Sequence, residues 1–318
     1  MNIAPEILAL HNDMRHWRKQ LHQYPETAFE EIATAQLIAG QLQHMGIEVH
    51  QGLAKTGVIG VLRRGDSSHS IALRADMDAL FIQEQNRFTH ASCHHGKMHA
   101  CGHDGHCAML LGAAHYLAQH GQFNGTIYFI FQPAEEARAG AHQMIQEGLF
   151  EQFPAQQVFG MHNFPDIPVG LFAVKTGAMM ASFDCFEITL NGQATHAAMP
   201  HLGQDVLVAA AHLVTQLQTI VSRKINPADS AVVSVTQIHG GNTWNAIPDS
   251  AVLRGTFRSF NDSVRTQLEQ SIQHLAKTVA DSFNMTAKIR FNPDNPGYPV
   301  TVNTPDETAS AIRAASAV

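Results

Sequence analysis

The sequence predicts an α/β protein in which a first domain with a mostly parallel sheet carries an inserted ferredoxin-like α+β domain. Three observations support this prediction. Apolar strands and helical patterns alternate as far as Met161, which is typical of a parallel sheet covered by helices. The order then becomes β-α-β-β-α-β, as in a ferredoxin-like unit. A turn-rich segment at 292–299 indicates that the chain then returns to the first domain.

Each element of the first domain is predicted from periodicity and from its stop signals. Gly46 ends the first helix and Gly121 ends the second, while residues 63–70 resemble a hairpin turn between two strands. The predicted elements are a helix at 30–45, strands at 58–62 and 71–73, a helix at 108–119, a strand at 126–131, a helix at 139–149 and a strand at 158–161.

The inserted domain follows the same rules. Its predicted elements are a strand at 186–190, a helix at 205–222, strands at 231–238 and 252–260, a helix at 262–283 capped by Asn261 or Asp262, and a strand at 286–291. We therefore expect a first domain at 1–182, continued by 296–318, and an inserted domain at 183–295. A last helix begins at Pro305 after a Thr304 cap and meets no stop signal, so we expect a chain that is cut short. A frayed terminal helix is the ordinary alternative.

Composition narrows the class of protein. The chain of 318 residues is 45% hydrophobic and 15% charged, which fits a globular protein with a substantial core. Its net charge of −7 argues against nucleic acid as a partner, and no apolar stretch is long enough to span a membrane. The four cysteines do not resemble a disulfide framework, so we expect a reducing, cytoplasmic location.

A cysteine and several histidines lie together at 98–106. Cys101 and His103 can both reach one divalent ion if the backbone turns between them. The neighbouring glycines favour a loop, because a helix would point these two side chains about 200° apart. Taken alone, the pair would more often be a buried cysteine beside a surface histidine. The 21 histidines and the clusters downstream favour metal ligation instead.

Three more polar clusters follow predicted strands. Asp76 and Asp78 come after the strand at 71–73, Glu135 and Glu136 after the strand at 126–131, and His162 after the strand at 158–161. Ligands of open α/β sheets bind at the carboxyl ends of strands, so we expect these clusters to converge. Solvated acids, loop-capping aspartates and a satisfied core histidine are the ordinary alternatives.

The clusters divide naturally into metal ligands and a general base. Adjacent glutamates point in different directions, so Glu136 can bind metal while Glu135 moves a proton from water to the leaving amine. His162 is a further ligand, and one of the two aspartates could brace a metal-bound imidazole. Spacing alone leaves open whether the site holds one metal ion or two.

The inserted domain adds two polar loops. His196 lies in the loop at 195–201, and Asn245 lies in the loop at 240–248, which precedes a strand containing Arg254 and Arg258. An arginine there could bind a substrate carboxylate through two hydrogen bonds. An ordinary surface arginine is an equally supported interpretation.

From about residue 10 to residue 318, the chain resembles the metal-dependent aminoacylase and carboxypeptidase family. Within it, the N-acyl-amino-acid amidohydrolases are the most similar subgroup, which includes hippurate hydrolases and N-acetyldiaminopimelate deacetylases. The most specific feature is the run at 98–106 together with the downstream Glu-Glu pair. The segments that carry the resemblance are RADMDAL, MHACGHDGH, FQPAEE, GMHN, THAAMPHLGQDV and GGNTWNAIPDSAVLRGTFRSF.

The resemblance implies two divalent ions (Zn, Mn, Co or Ni) in a catalytic domain, and an inserted lid domain that also forms a homodimer. It implies metal ligands at Cys101, His103, Glu136 and His162. Glu135 corresponds to the general base, Asp78 to the metal-site aspartate beside it, and Asp76 to a position that is a histidine ligand in other branches. His196 corresponds to a lid histidine that polarises the scissile carbonyl, with Asn245 and Arg258 as candidate substrate contacts.

Two departures from the family pattern affect the expected activity. Family members extend further and carry a last histidine ligand, whereas this chain has no histidine after His274. Phe81 replaces the usual proline after Asp-Ala-Leu. The leading hypothesis is an amidohydrolase that cleaves N-acyl amino acids. The alternatives are a dipeptidase or carboxypeptidase of the same family, and an inactive remnant that binds metal or peptide.

Overall fold

The computed structural model describes residues 3–293 and 296–318, and the chain forms two compact units. The first unit comprises Met1–Ala173 and Ala309–Val318, and the second comprises Val174–Thr308. These boundaries differ from the predicted ones at 182/183 and 295/296. Both flanking segments belong to the second unit, in which Gly177–Met180 pairs with Thr301–Asn303 in a separate two-stranded sheet. The predicted turn at 292–299 lies partly outside the described residues.

The first unit contains a five-stranded sheet. Its strands are β1 (Glu48–Leu53), β2 (Gly57–Arg64), β3 (Ser70–Asp76), β4 (Gly125–Gln132) and β5 (Gln157–Gly160), in the order β1-β2-β4-β3-β5. β3 is parallel to β4 and β5, whereas β1–β2 and β2–β4 are antiparallel. The α/β class is confirmed, but the sheet is mixed rather than mostly parallel.

Two local features explain this mixed sheet. The turn between β1 and β2 holds Ala54 and Lys55 at positive φ, and so short a connection can only join antiparallel neighbours. In the sheet, β4 lies between β2 and β3. The segment that connects β2 to β3 must therefore pass β4 instead of joining two neighbouring strands. The prediction of a hairpin-like turn at 63–70 was therefore wrong.

The helices of the first unit cover both faces of this sheet. They are α1 (Pro5–Ala9), α2 (His11–Gln23), α3 (Ile32–His44), α4 (His103–His120), α5 (Glu135–Arg138), α6 (Gly140–Gln146) and α7 (Leu149–Gln152). α4 begins five residues earlier than predicted, so His103 is the first residue of a helix rather than part of a loop. The helix predicted at 139–149 ends at Gln146, and α7 begins after Gly148, which adopts φ +91.

The central strand β4 is buried on both faces. Phe129 and Phe131 join one hydrophobic cluster, which includes side chains of α2, α3 and α4. Tyr128 and Ile130 join another, which includes Met144 of α6. A strand buried on both sides has a nearly continuous apolar sequence, as 126–131 does. This packing fixes the carboxyl ends of β3, β4 and β5, where the polar clusters begin.

The second unit confirms the ferredoxin-like prediction. Its elements in chain order are β6 (Gly177–Met180), β7 (Asp184–Asn191), β8 (Thr195–His196), α8 (Val206–Thr219), β9 (Ala231–Gly240), β10 (Ala246–Ile247), β11 (Ser250–Ser259), α9 (Asp262–Ser282), β12 (Thr286–Phe291) and β13 (Thr301–Asn303). The last helix, α10 (Pro305–Ser316), begins in the second unit and continues into the first from Ala309. The main sheet has the order β12-β7-β11-β9, and every pairing in it is antiparallel. The side chain of Asn261 caps α9, and that of Asp205 caps α8.

In the part of the chain that the structure describes, no helix is long and apolar enough to cross a membrane.

Candidate metal centre

The polar clusters converge at one edge of the first sheet. β3 ends at Asp76, β4 at Gln132 and β5 at Gly160, and these parallel neighbours end side by side. The first turn of α4 faces the same edge, because His103 lies within 4 Å of both Asp76 and Asp78. The predicted convergence of the first-unit clusters is therefore present in the structure.

Cys101 and His162 form one pair of potential ligands. The Nδ1–H of His162 donates to the carbonyl oxygen of Asn163 at 2.7 Å, so Nε2 carries the lone pair. That Nε2 lies 3.4 Å from the sulfur of Cys101. Two ligands of one tetrahedral zinc ion lie roughly 3.5 Å apart, given metal–ligand bonds of about 2.0–2.3 Å. The pair has the chemistry and the spacing to hold such an ion.

His103 and Glu136 provide the observation that fits a metal ion best. His103 is fully buried, and its Nδ1–H donates to Asp78 Oδ1 at 3.2 Å. Its Nε2 and the Oε1 of Glu136 are both buried, and neither has a hydrogen-bond partner among the described residues. These two atoms lie 3.7 Å apart. Buried polar atoms without partners are costly, and a cation between them would satisfy both.

The charges around His103 also favour a cation. Burial alone would lower the pKa of His103, but the hydrogen bond with Asp78 and the negative charges of Asp76 and Asp78 raise it to about 11. The carboxylates that stabilise a proton on the imidazole also stabilise a divalent ion beside Nε2. Metal binding would then displace that proton.

The potential ligand atoms form two overlapping groups. Within each group they lie within 4.8 Å of one another. The first group is Cys101, His103 and Glu136, and the second is Asp76, His103, His106 and His162. The two groups together offer enough donor atoms for two divalent ions, as the family resemblance implies, and Nε2 of His103 can bind one of them.

His106 was given no role in the sequence analysis. Its Nδ1 donates to Asp76 Oδ1 at 2.6 Å, and its Nε2 accepts the backbone N–H of Asn163 at 3.0 Å. A neutral imidazole thus links the end of β3 to the loop that carries His162. The available signal was its spacing of three residues from His103, which places both histidines on one face of the first turn of α4.

The two aspartates act through different histidines. Asp76 accepts hydrogen bonds from Arg74 at 2.7 Å and from His106. Burial would raise the pKa of Asp76, but these contacts hold it below its usual range. Asp78 accepts from His103 and from the backbone N–H of Glu136 at 2.9 Å. Asp78 thus supports the buried imidazole and the glutamate pair through protein contacts.

Glu135 has the properties of a proton carrier. Burial, followed by the negative charges of Glu136 and Asp76, raises its pKa to about 7. A carboxyl group that titrates near neutral pH can both accept and return a proton. A bound divalent cation would lower this pKa, because positive charge favours the carboxylate.

The backbone before Glu135 is strained. Ala134 adopts φ +53 and ψ +44, a left-handed conformation that costs roughly 1–2 kcal/mol in a residue other than glycine. A Cβ on Gly140 would overlap the carbonyl oxygen of Pro133, so the chain must fold back tightly here. Strain of this kind persists only where neighbouring contacts fix the backbone.

The predicted residues of the second unit lie in a short two-stranded sheet and in the main sheet. His196 in β8 pairs with Ala246 in β10, and the carbonyl oxygen of Asn245 accepts the N–H of Ala197 at 2.9 Å. These contacts bring His196 and Asn245 together. Arg258 on β11 lies 4.7 Å from the ring centre of Phe183, a contact that fits an ordinary structural arginine.

Buried imidazole and carboxylate atoms without protein partners, beside the buried carboxyl group of Glu135, are typical of a metal-dependent hydrolase. The chain belongs to peptidase family M20/M25/M40, whose family model matches residues 72–318. This match confirms the predicted family and a hydrolase that acts on amide bonds. The donor set in the structure agrees with the predicted dependence on metal.

Similar proteins agree with this family. The chain is 43% identical to the hippurate hydrolase of Campylobacter jejuni, over 95% of this chain and 78% of that protein. It is 44% identical to the N-acetyl-L-cysteine deacetylase of Bacillus subtilis, over 88% of this chain and 67% of that protein. Its fold resembles a dinuclear metal-binding peptidase of family M20 from Bacillus subtilis, with a TM-score of 0.81, 36% identity, and coverage of 98% of this chain and 80% of that one.

Proposed function

We propose that this protein hydrolyses the amide bond of N-acyl amino acids with the help of two divalent metal ions. The observation that carries the proposal is the pair of buried, unpartnered atoms, His103 Nε2 and Glu136 Oε1, which face each other beside Glu135. The substrate class is supported by the relatives named for the hydrolysis of hippurate and the deacetylation of N-acetyl-L-cysteine.

In this proposal, the metal ions are held by Cys101, His103, Glu136 and His162. Bound ions of this kind lower the pKa of water and polarise an amide carbonyl. Glu135 removes a proton from the attacking water and delivers it to the amide nitrogen as the C–N bond breaks, releasing an amino acid and a carboxylate. Asp78 orients His103 and fixes the backbone of Glu136 during these steps.

His196, Asn245 and Arg258 remain predicted substrate contacts. His196 is exposed, and its Nδ1 accepts the N–H of Ala198 at 3.0 Å, so Nε2 carries the proton that could be donated to a substrate carbonyl. Asn245 is exposed and could contact the substrate carboxylate. The contact of Arg258 with Phe183 makes it the weakest of the three candidates.

Substitution of Glu135 by Gln tests the proposed chemistry. We expect turnover of N-acetyl and N-benzoyl amino acids to fall by about 10²-fold or more, because an amide cannot accept the proton. Metal content per chain, measured by elemental analysis, should not change. The matched control is Glu151→Gln, on an exposed part of α7. Unchanged turnover in Glu135→Gln would refute the role of Glu135.

The family alternative of a dipeptidase or carboxypeptidase is tested with the same protein. Acyl amino acids and dipeptides that share the same C-terminal residue are assayed side by side. We expect a higher kcat/KM for the acyl amino acids. A higher value for the dipeptides would replace the proposed substrate class, and the absence of turnover on both with two metals bound would support the inactive remnant.

We also propose a homodimer that forms through the second unit, in a reducing cytoplasm. β9 is an end strand of the main sheet and exposes Val232 and Ile238 along its length. Such an edge favours pairing with another strand. The four cysteines are free thiols, and a reducing compartment would keep Cys101 free as a metal ligand.

Analytical ultracentrifugation tests the proposed dimer. We expect the protein to sediment as a dimer, and Ile238→Lys to shift it towards the monomer because a charge opposes edge-to-edge pairing. Thr286→Lys provides the control, since Thr286 is exposed on β12 at the opposite edge of the same sheet. A protein that is monomeric at all concentrations would exclude the proposed dimer.

A further inference from the structure

Glu31 is a buried carboxylate that the proposed chemistry does not use. Its side chain has no exposed surface, although it comes from the residue that precedes α3. A glutamate at the start of a helix ordinarily serves the free N–H groups of that helix. In this chain Glu26 has that role, because its two carboxylate oxygens accept the N–H groups of Ala33 and Thr34.

The carboxylate of Glu31 instead reaches a loop 103 residues away. Its Oε1 accepts the N–H of Ala134 at 2.9 Å, and its Oε2 accepts the hydroxyl of Thr56 at 2.7 Å. Ala134 is the residue in the left-handed conformation, and Glu135 follows it directly. The carbonyl oxygen of Ala134 accepts the N–H of Gly140, so both backbone groups of this residue are paired.

A second buried carboxylate binds the backbone on the other side of Glu135. Asp78 accepts the N–H of Glu136 at 2.9 Å. The backbone amides immediately before and after Glu135 are therefore each held by a buried acid from a different part of the chain. Without Glu31, the buried N–H of Ala134 would lose its acceptor, and the hydrogen bond from Gly140 to its carbonyl oxygen would be the remaining backbone contact that holds the left-handed conformation.

We propose that Glu31 is a positioning residue that fixes the backbone of Ala134 and thereby the direction of the Glu135 side chain. This inference rests on the proposed function of Glu135 as general base. According to this inference, position 31 needs a hydrogen-bond acceptor for the N–H of Ala134, and its negative charge is not required. A misplaced general base loses rate because proton transfer depends steeply on geometry.

Variants at position 31 separate these contributions. In Glu31→Leu the N–H of Ala134 loses its acceptor, and we expect kcat to fall by roughly 10- to 100-fold with KM within about twofold. Glu31→Gln keeps an amide oxygen for Ala134, while its NH₂ group can donate to the hydroxyl of Thr56. We therefore expect Glu31→Gln to retain most of the wild-type kcat.

Glu26→Leu is the matched control, because it removes the neighbouring carboxylate and leaves the Ala134 contact intact. We expect it to lower the melting temperature without changing kcat. Hydrogen exchange at the Ala134 amide gives a readout that does not depend on turnover. The exchange rate should rise at least tenfold in Glu31→Leu and stay near the wild-type rate in Glu31→Gln and Glu26→Leu.

The outcomes distinguish this inference from the proposed function. A wild-type protein that is inactive on every acyl amino acid overturns the proposed function, while the exchange measurement still reports on Glu31. Wild-type kcat in folded Glu31→Leu overturns the positioning role. If Glu31→Leu does not fold, Thr56→Val is compared with Thr56→Ser, which keeps the hydroxyl. We expect kcat of the valine variant to be at least threefold lower, and equal values would overturn the inference.

Discussion

At the scale of single residues, two histidines of the candidate site share one arrangement. His103 donates Nδ1–H to Asp78, and His162 donates Nδ1–H to a backbone carbonyl. Each Nδ1 is thereby paired with a protein acceptor, so Nε2 is the ring atom that is left for a metal ion. In His103, whose pKa is raised to about 11, metal binding must also displace the proton on Nε2.

Gly102 joins this arrangement to the start of α4. Its φ is +98, and a Cβ at this position would overlap Oδ1 of Asn163, the residue whose N–H is bound by His106. Glycine is thus required for two reasons, a left-handed backbone and a close approach of two loops. Both loops carry predicted ligands, Cys101 and His162.

We predict that Gly102→Ala lowers both stability and metal affinity. Its backbone cost alone is roughly 1–2 kcal/mol, and the overlap with Asn163 adds to it. Gly46→Ala is the matched control, because Gly46 has φ +75 with open space around it and shows only the backbone cost. Urea unfolding and chelator competition measure the two effects. Equal losses of stability in both variants would contradict the overlap.

Candidate metal ligands could be proposed from the sequence because thiol, imidazole and carboxylate groups reveal their chemistry locally. Glu136 and His162 follow strands that the apolar pattern marks, and Cys101 and His103 lie in the run at 98–106. The role of His106 could not be predicted, because it depends on the backbone N–H of Asn163, which only the folded chain brings near. Glu31 was missed for the same reason, since its partner is a backbone amide.

At the scale of elements, His22 joins three segments of the first unit. Its Nδ1 lies 2.9 Å from Asp104 Oδ2 in the first turn of α4, and its Nε2 lies 3.1 Å from Glu84 Oε1 in the loop that follows β3. All three side chains are buried. These contacts hold α2 against α4.

The contacts of His22 with Asp104 and Glu84 predict that the stability of the folded protein depends on pH. The hydrogen bond with Asp104 raises the pKa of His22 above 6.5, burial opposes this rise, and the bond with Glu84 adds to it. A raised pKa in the folded state means that the stabilisation is fully present below pH 6.5 and is lost as pH rises through the folded-state pKa. We expect His22→Gln to be less stable than wild type at pH 6, with the difference shrinking at higher pH.

Urea unfolding at a series of pH values checks this expectation. His16→Gln serves as the control, because His16 is exposed on the same helix. Its stability should differ from wild type by less than about 0.5 kcal/mol, because the substitution lies on the surface. A stability difference for His22→Gln that stays constant from pH 6 to pH 9 would contradict the proposed charge on His22.

The type of most long elements could be predicted, whereas the neighbours of each strand could not. Apolar runs and helical periodicity are local, so β4, α8 and α9 were found close to their observed bounds. The antiparallel pairing of β2 with β4 depends on contacts between distant segments, and no local pattern encodes it. The early start of α4 was missed because Gly102 suggested a loop continuing through His103.

At the scale of the whole molecule, the chain divides into units with separate cores. The core of the second unit is formed by β7, β9, β11, α8 and α9, with Leu213, Ile188 and Leu268 fully buried. Its main sheet draws all four strands from residues 184–291, so no strand is supplied by the first unit. The second unit thus has the features of an independently folding domain.

We predict that residues 174–308, expressed alone, fold cooperatively. The segment contains its own apolar core and a closed set of strand pairings, which is what a domain of this size needs for stability. Circular dichroism during urea unfolding should show a single reversible transition.

Within this fragment, Leu213→Ala should lower the free energy of unfolding by about 2–5 kcal/mol, because it removes a fully buried side chain of α8. Gln216→Ala, at an exposed position of the same helix, should change it by less than about 0.5 kcal/mol. A fragment that unfolds without a cooperative transition, or that is equally insensitive to both substitutions, would show that its core forms only in the intact chain.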